Sequence, residues 1–226
     1  MNAPNKKIIA FFDFCNTLVG MHTANRFVSL CLRYNISFRT LANELLRIIG
    51  RRFGILYGER HKMWQIKQLK GLSFEKIKEI SKDYVEKELL PKVNNVVFQR
   101  MLWHKEFGHD IAIVSGGFKV YLEEFAKMFG VTYVIATDLE FVDHKATGRI
   151  RGVDCMGINK VRKIKETINL DEYDLDNSYA YSDSASDIPL LTLVGKGVVV
   201  DFGQNIDWAR HMNFEIIKVN QNGQMP

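Results

Sequence analysis

Three apolar runs in this chain stop at polar residues in the same way. Ile8-Ile9-Ala10-Phe11-Phe12 ends at Asp13, Ile111-Ala112-Ile113-Val114 ends at Ser115-Gly116-Gly117, and Tyr179-Ala180-Tyr181 ends at Ser182-Asp183. Short apolar runs bounded by turn residues read as strands buried on both faces. From Val93 onward they alternate with helical patterns. The expected order is helix 93–107, strand 110–114, helix 118–129, strand 132–136, helix 158–168, strand 178–182, helix 186–193, strand 197–200, helix 204–211 and strand 214–218. A hairpin is expected between Asp138 and Ile150, turning near Gly148. Such alternation specifies a parallel sheet covered on both faces. The fold class is α/β, a Rossmann-like doubly wound parallel sheet.

Between the first strand, 7–13, and Val93 the period changes. Apolar residues recur at helical spacing: Phe27, Leu30 and Cys31, then Leu41, Leu45, Leu46 and Ile49, then Ile77, Ile80, Tyr84 and Leu89. Ser73 is placed as the N-cap of a helix running to Leu89, and Pro91 closes the stretch. Phe53–Tyr57 is ambiguous between helix and strand. The organisation predicted is a core of residues 1–20 and 91–226 with a helical cap, 21–90, inserted after strand one.

At 226 residues the chain suits one domain with an insertion. The run after Lys6-Lys7 is broken by Asp13 too early for a signal peptide, and no stretch is long enough to span a membrane. Cys15, Cys31 and Cys155 are scattered, with neither metal spacing nor a disulfide framework, so a reducing cytoplasm is the expected location. Between Arg26 and Lys70 stand ten Lys/Arg against Glu44 and Glu59, a local charge of +8 against +5 for the whole chain. Solvated helix faces account for this; a weak contact with anionic membranes is the functional alternative. No nucleic-acid motif accompanies it, so no nucleic-acid partner is expected. The oligomeric state is not legible.

In open α/β sheets ligands bind beyond the carboxyl ends of the strands. There the sequence collects the carboxylates of Asp13, Asp183 and Asp187, the hydroxyl of Ser115 and the ammonium of Lys160. That inventory suits a divalent cation with a phosphoryl group. Capping of helix 186–193 explains Asp183 or Asp187 alone, but not both beside Asp13 without a cation.

In order and spacing, these segments resemble the haloacid dehalogenase-like phosphohydrolases, in the phosphoserine phosphatase branch, from Lys7 to about Val219. The resemblance implies that Asp13 is a nucleophile forming an aspartyl-phosphate. It implies Mg²⁺ held by Asp13, the Cys15 carbonyl, Asp183 and Asp187. Ser115 and Gly116 would hold phosphate oxygens, as would Thr17, which also orients its loop. Lys160, in Gly157-Ile158-Asn159-Lys160, would bridge Asp13 and the phosphoryl group, ahead of its neighbours Lys163 and Lys165.

Two positions depart from the family pattern. Cys15 stands where the family has a second aspartate serving as general acid/base, and the thiol is either a weaker proton donor or a packing residue. His22 stands where phosphoserine phosphatases carry a glutamate facing the substrate amine, which disfavours phosphoserine. Arg26, Arg51, Arg52 and Trp64 are further candidates for leaving-group selection. The expected function is a Mg²⁺-dependent phosphomonoesterase for a small phosphorylated metabolite, an amino-alcohol or sugar phosphate. The alternatives are a phosphoryl transferase or mutase using the same intermediate, and a non-catalytic phosphate-binding module. A dehalogenase needs no Mg²⁺ carboxylate pair, and a receiver domain carries no helical insertion of this length.

Overall fold

The structure is a computed structural model and describes residues 6–34 and 58–219. The sequence-expected helix through Leu41 and Ile49, the ambiguous run Phe53–Tyr57, and Arg51 and Arg52 lie outside them.

The strands are β1 (Ile9–Phe12), β2 (Asp110–Phe118), β3 (Tyr133–Val142), β4 (Lys145–Arg151), β5 (Tyr179–Ser182), β6 (Lys196–Asp201) and β7 (Glu215–Lys218). They form one sheet in the order β4-β3-β2-β1-β5-β6-β7. All neighbours are parallel except β3 and β4, which form the expected hairpin at the edge. Its turn differs from the expectation. Asp143 and His144 both have positive φ, 48° and 59°, as a two-residue type I′ connection requires. Gly148 instead lies within β4, at φ 79°, where a Cβ would press on the Lys67 carbonyl and Lys70.

β1 is central and wholly buried, which is why it reads as unbroken apolar sequence. Ala10 and Phe12 face one core layer, Ile9 and Phe11 the other. Its register decides where the chemistry lies. Phe12 is opposite both Ile113 of β2 and Tyr181 of β5, so Asp13, Ser115 and Asp183 emerge at one edge.

The helices are α1 (Thr23–Arg33), α2 (Gly58–Lys67), α3 (Phe74–Tyr84), α4 (Asn95–Glu106), α5 (Lys119–Phe129), α6 (Ile158–Thr167), α7 (Ile188–Leu191) and α8 (Asp207–His211). Ser73 caps α3, accepting from the Lys76 N–H at 3.2 Å. The expected helix to Leu89 breaks at Tyr84 into a wider π turn, Val85–Leu89, that keeps both of those residues buried. A 3₁₀ turn containing Pro91 follows. Phe27 and Cys31 of α1, Ile66 of α2 and Ile77, Ile80 and Tyr84 of α3 share the core layer of Phe12 and Phe118. The described part of the insertion therefore rests on the sheet domain's own core.

Candidate active site

Asp13 follows β1, and its N–H donates to the Tyr181 carbonyl at 2.9 Å, extending the strand pairing by one bond. The chain then turns through Asn16, whose φ of 57° is one that asparagine tolerates better than most residues. This places Thr17 behind Asp13. The Thr17 hydroxyl lies 3.2 Å from Asp13 Oδ2 and 3.1 Å from Asp183 Oδ1, and accepts the Asp183 N–H at 3.1 Å. Having one proton, it donates to one carboxylate at a time. Thr17 is fully buried and ties these two carboxylates together.

Lys160 enters from the first turn of α6 and is 3% exposed. Its Nζ donates to Asp13 Oδ1 at 2.6 Å and to Asp187 Oδ2 at 2.5 Å. Lys163 instead donates to the Ala136 carbonyl, and Lys165 is exposed, so Lys160 is the ammonium in the site. Asp187 Oδ2 also accepts from Ser182 Oγ at 2.6 Å, whereas Asp187 Oδ1 is buried without a hydrogen-bond partner.

The electrostatics are lopsided. Burial pushes the Asp13 carboxyl up to about 7; Lys160 pulls it down, and Asp187 and Asp183 push it further up. Burial likewise raises Asp183, against the Thr17 hydrogen bond. At Lys160 desolvation disfavours the charge, but Asp13 and Asp187 outweigh it and hold the ammonium protonated. Three carboxylates face one ammonium.

Ser115 is buried at the end of the regular part of β2, and its Oγ accepts the Gly117 N–H at 3.0 Å. The pairing with β3 shifts between Ser115 and Phe118, which opens the Gly116-Gly117 turn. Gly117 is required by its close neighbour, the buried Tyr121, whereas the neighbour of Gly116 is the half-exposed Met156 side chain. A Cβ on Gly116 would stand 2.8 Å from Met156 Cγ, and one on Gly117 would run into the Tyr121 hydroxyl.

The Cys15 thiol lies among hydroxyl groups. Its Sγ is 2.9 Å from Thr23 Oγ1, which is 2.6 Å from the Tyr121 hydroxyl, and 3.9 Å from Ser115 Oγ. Burial and neighbouring Asp13 push the thiol up, so it keeps its proton. Asp13, Cys15, Ser115, Gly116, Lys160, Asp183 and Asp187 all line one cavity of about 350 Å³. His22 and Asn25 also line this cavity. Arg26 is taken up by Glu88, through two 2.6 Å hydrogen bonds.

The site also contains residues the sequence did not flag. Thr23 and Tyr121 hold the thiol, and Lys62 of α2 reaches the Gly116 carbonyl. Their partners are 8 to 98 residues away in the chain, and no spacing rule connects them.

The donors fit Mg²⁺. They are carboxylate oxygens, with an unpartnered Asp187 Oδ1, and Mg²⁺ asks for only one or two carboxylates besides substrate and water oxygens. Among the described residues no group of three acidic, histidine or cysteine side chains is arranged as a ready-made metal cluster; the Lys160 ammonium bonds both Asp13 and Asp187.

The haloacid dehalogenase-like hydrolase family model matches residues 10–192. The chain belongs to that family. Within it the sequence falls in the phosphoserine phosphatase-like branch, and it is a family phosphatase. A probable phosphatase of Mycobacterium tuberculosis is 26% identical over 211 residues, covering 88% of this chain and 70% of that protein. A histidinol-phosphatase of Neisseria meningitidis is 24% identical, covering 86% and 90%. The fold is shared with a Bordetella pertussis protein of unknown function, at a TM-score of 0.79 and 21% identity over 94% and 98% of the two chains. A substrate-bound phosphoserine phosphatase shares it at 0.61 and 22% identity, over 87% of each chain. No helix among the described residues is long and apolar enough to cross a membrane.

Proposed function

We propose that this protein is a Mg²⁺-dependent phosphomonoesterase acting on a small phosphorylated metabolite, an amino-alcohol or sugar phosphate, through a phosphoryl group carried on Asp13. The observation that carries the reading is the Lys160 ammonium between Asp13 and Asp187 at the sheet edge, beside Ser115. The core, 1–20 and 91–226, supplies the chemistry, and the insertion, 21–90, selects the leaving group.

In this reading an Asp13 oxygen attacks phosphorus as the bond from phosphorus to the ester oxygen breaks. Ser115 and Lys160 hold the phosphoryl oxygens and offset their charge. The Cys15 thiol gives its proton to the departing oxygen. Water then attacks phosphorus, the bond to Asp13 breaks, and the thiolate recovers a proton from that water. Asp13, the Cys15 carbonyl, Asp183 and Asp187 would hold Mg²⁺, which supplies Lewis-acid polarisation of the phosphoryl oxygens. A protonated, hydroxyl-bound thiol is better suited to giving a proton than to activating water. That observation favours transfer to an acceptor other than water as the second reading. The free cysteines, one of them in the site, support a reducing cytoplasmic location.

The test is a phosphate-release screen of phosphorylated metabolites with Mg²⁺, repeated with alcohol acceptors. The expected result is turnover of an alkyl phosphate, with phosphoserine poor because His22 lines the cavity where the family has a glutamate. Phosphoserine as the clear best substrate overturns the specificity; no release or transfer from any ester overturns the activity.

A further inference from the structure

Lys62 belongs to the inserted helix α2, yet its ammonium is buried at the carboxyl edge of the sheet. It donates to the Gly116 carbonyl at 2.6 Å, to Asp154 Oδ1 at 2.5 Å and to Thr137 Oγ1 at 3.3 Å. An ammonium has three N–H groups, so all three are used. The acceptors lie on both arms of the phosphate cradle. The peptide that carries the Gly116 carbonyl also carries the Gly117 N–H, which donates to Ser115 Oγ. One peptide is therefore gripped at its oxygen by Lys62 and at its hydrogen by Ser115. Asp154 stands in the segment that lays Met156 against Gly116 and leads through Gly157 into α6, the helix of Lys160. Thr137 closes the network, accepting from the Cys155 N–H at 3.2 Å and approaching Asp154 Oδ1 at 2.5 Å. A buried polar network with every donor matched is rigid and specifies one arrangement.

We infer that Lys62 is a positioning residue for phosphate binding: seated from the insertion, it holds the Ser115–Gly117 turn and the segment ahead of Lys160 in register. The inference rests on the phosphatase reading of the site. Seating of α2 then sets the affinity for the phosphoryl group, which couples the insertion to the chemistry without its touching phosphorus. The competing role for Lys62 is only to neutralise Asp154.

The two roles separate when the charges are removed together. The double variant Lys62→Met, Asp154→Asn leaves no unpaired buried charge but releases the Gly116 carbonyl. Inorganic phosphate is titrated calorimetrically into the full chain with Mg²⁺, and melting temperatures are recorded in parallel. The expected result is a melting temperature close to that of the starting protein, with phosphate bound roughly 10-fold or more weaker, the weight of one hydrogen bond to a charged group. KM for the ester rises by a similar factor, and kcat changes less. Unchanged phosphate affinity in the folded double variant overturns the inference. Should that variant not fold, Lys62→Gln, Asp154→Asn takes its place, a neutral pair that can still hydrogen-bond to each other but has a shorter reach toward the Gly116 carbonyl than lysine. A phosphate affinity roughly 10-fold weaker than that of the starting protein supports positioning, and affinity within about threefold of it overturns the inference. A starting protein that binds no phosphate overturns the phosphatase reading, and this inference with it.

Discussion

Lys160 and Lys62 are both buried, both on helices, and both line the same cavity, but their surroundings are built on opposite terms. Lys62 meets one carboxylate, one carbonyl and one hydroxyl, so its cluster is neutral and its donors are matched. Lys160 meets two carboxylates directly, with Asp183 joined to Asp13 through Thr17. Three carboxylates share that one ammonium, a crowding that with burial holds Asp13 up at about 7, and Asp187 Oδ1 is buried without a partner. Burying charge without compensation is costly, so such an imbalance survives where a ligand completes it. Under the proposed reaction, the contrast is between a buried ammonium that fixes structure and one that would serve the chemistry.

The largest expected effects lie at the unbalanced cluster. Asp13→Asn removes the attacking oxygen's charge and is expected to abolish phosphate release while circular dichroism shows an intact fold. Lys160→Met is expected to cost kcat roughly 10²–10³, as for loss of one preorganised group that stabilises developing charge. Near-normal turnover in either variant breaks the assignment of this cluster to chemistry. At the balanced cluster the expected loss is in stability. Lys62→Met leaves Asp154 buried and unpaired, at a cost of about 3–5 kcal/mol by denaturant titration. A smaller loss than that of Lys160→Met would invert the comparison.

The carboxylates of the unbalanced cluster are legible in the sequence because Asp13 and Asp183 directly follow strands, with Asp187 one turn further on. Parallel pairing of β1 with β2 and β5 fixes their ends at one edge, so Asp13, Ser115 and Asp183 had to meet. The family pattern points to Lys160 rather than Lys163 or Lys165, and its Nζ meets Asp13 and Asp187 whereas that of Lys163 meets the Ala136 carbonyl. The balanced cluster was not legible. Lys62 and Asp154 are 92 residues apart, and only the packing of α2 against the sheet edge joins them. In the sequence Lys62 was one cation in a basic stretch. The hairpin turn differs from the sequence expectation for a related reason. Gly148 looks like a turn residue, but its glycine is demanded by the approach of Lys67, while Asp143-His144 makes the turn in a conformation glycine usually supplies.

Cys15 sharpens the comparison, because it belongs to the reactive pocket but is held like a structural residue. Its thiol sits on the Thr23–Tyr121 hydroxyl pair, away from the ammonium. Cys15→Asp adds a carboxyl beside Asp13, and like charge holds its pKa up and keeps it able to donate a proton. The expected gain in hydrolysis of alkyl phosphates is roughly 10-fold, at or below the usual contribution of a general acid. Aryl phosphates, whose leaving groups need no proton, are expected to change little. A Cys15→Asp enzyme that binds phosphate normally but turns over alkyl phosphates more slowly would show that the pocket is built around the thiol.

The smallest expected effect tests the imbalance itself, without turnover. Burial holds the folded Asp13 carboxyl at about 7, above its ordinary value of 3.8. Between those values the folded chain keeps a proton that the unfolded chain has shed. The stabilisation from Asp13 is therefore fully present below about pH 4 and is lost as pH rises through about 7. Asp183 is raised by the same cause and adds a slope of the same sign. In EDTA the melting temperature of the starting protein should fall between pH 5 and pH 8 more than that of Asp13→Asn, so the variant gains relative to it at pH 8. The gain is expected to be a few degrees, at about 2–4 °C per kcal/mol for a chain of this size. Adding Mg²⁺ at pH 8 should raise the starting protein's melting temperature by linkage and the variant's less, since the variant lacks one of the charges that would hold the ion under the proposed function. Equal pH slopes in EDTA would mean that Lys160 already balances Asp13, and the difference between the two lysine clusters would then be one of geometry rather than charge.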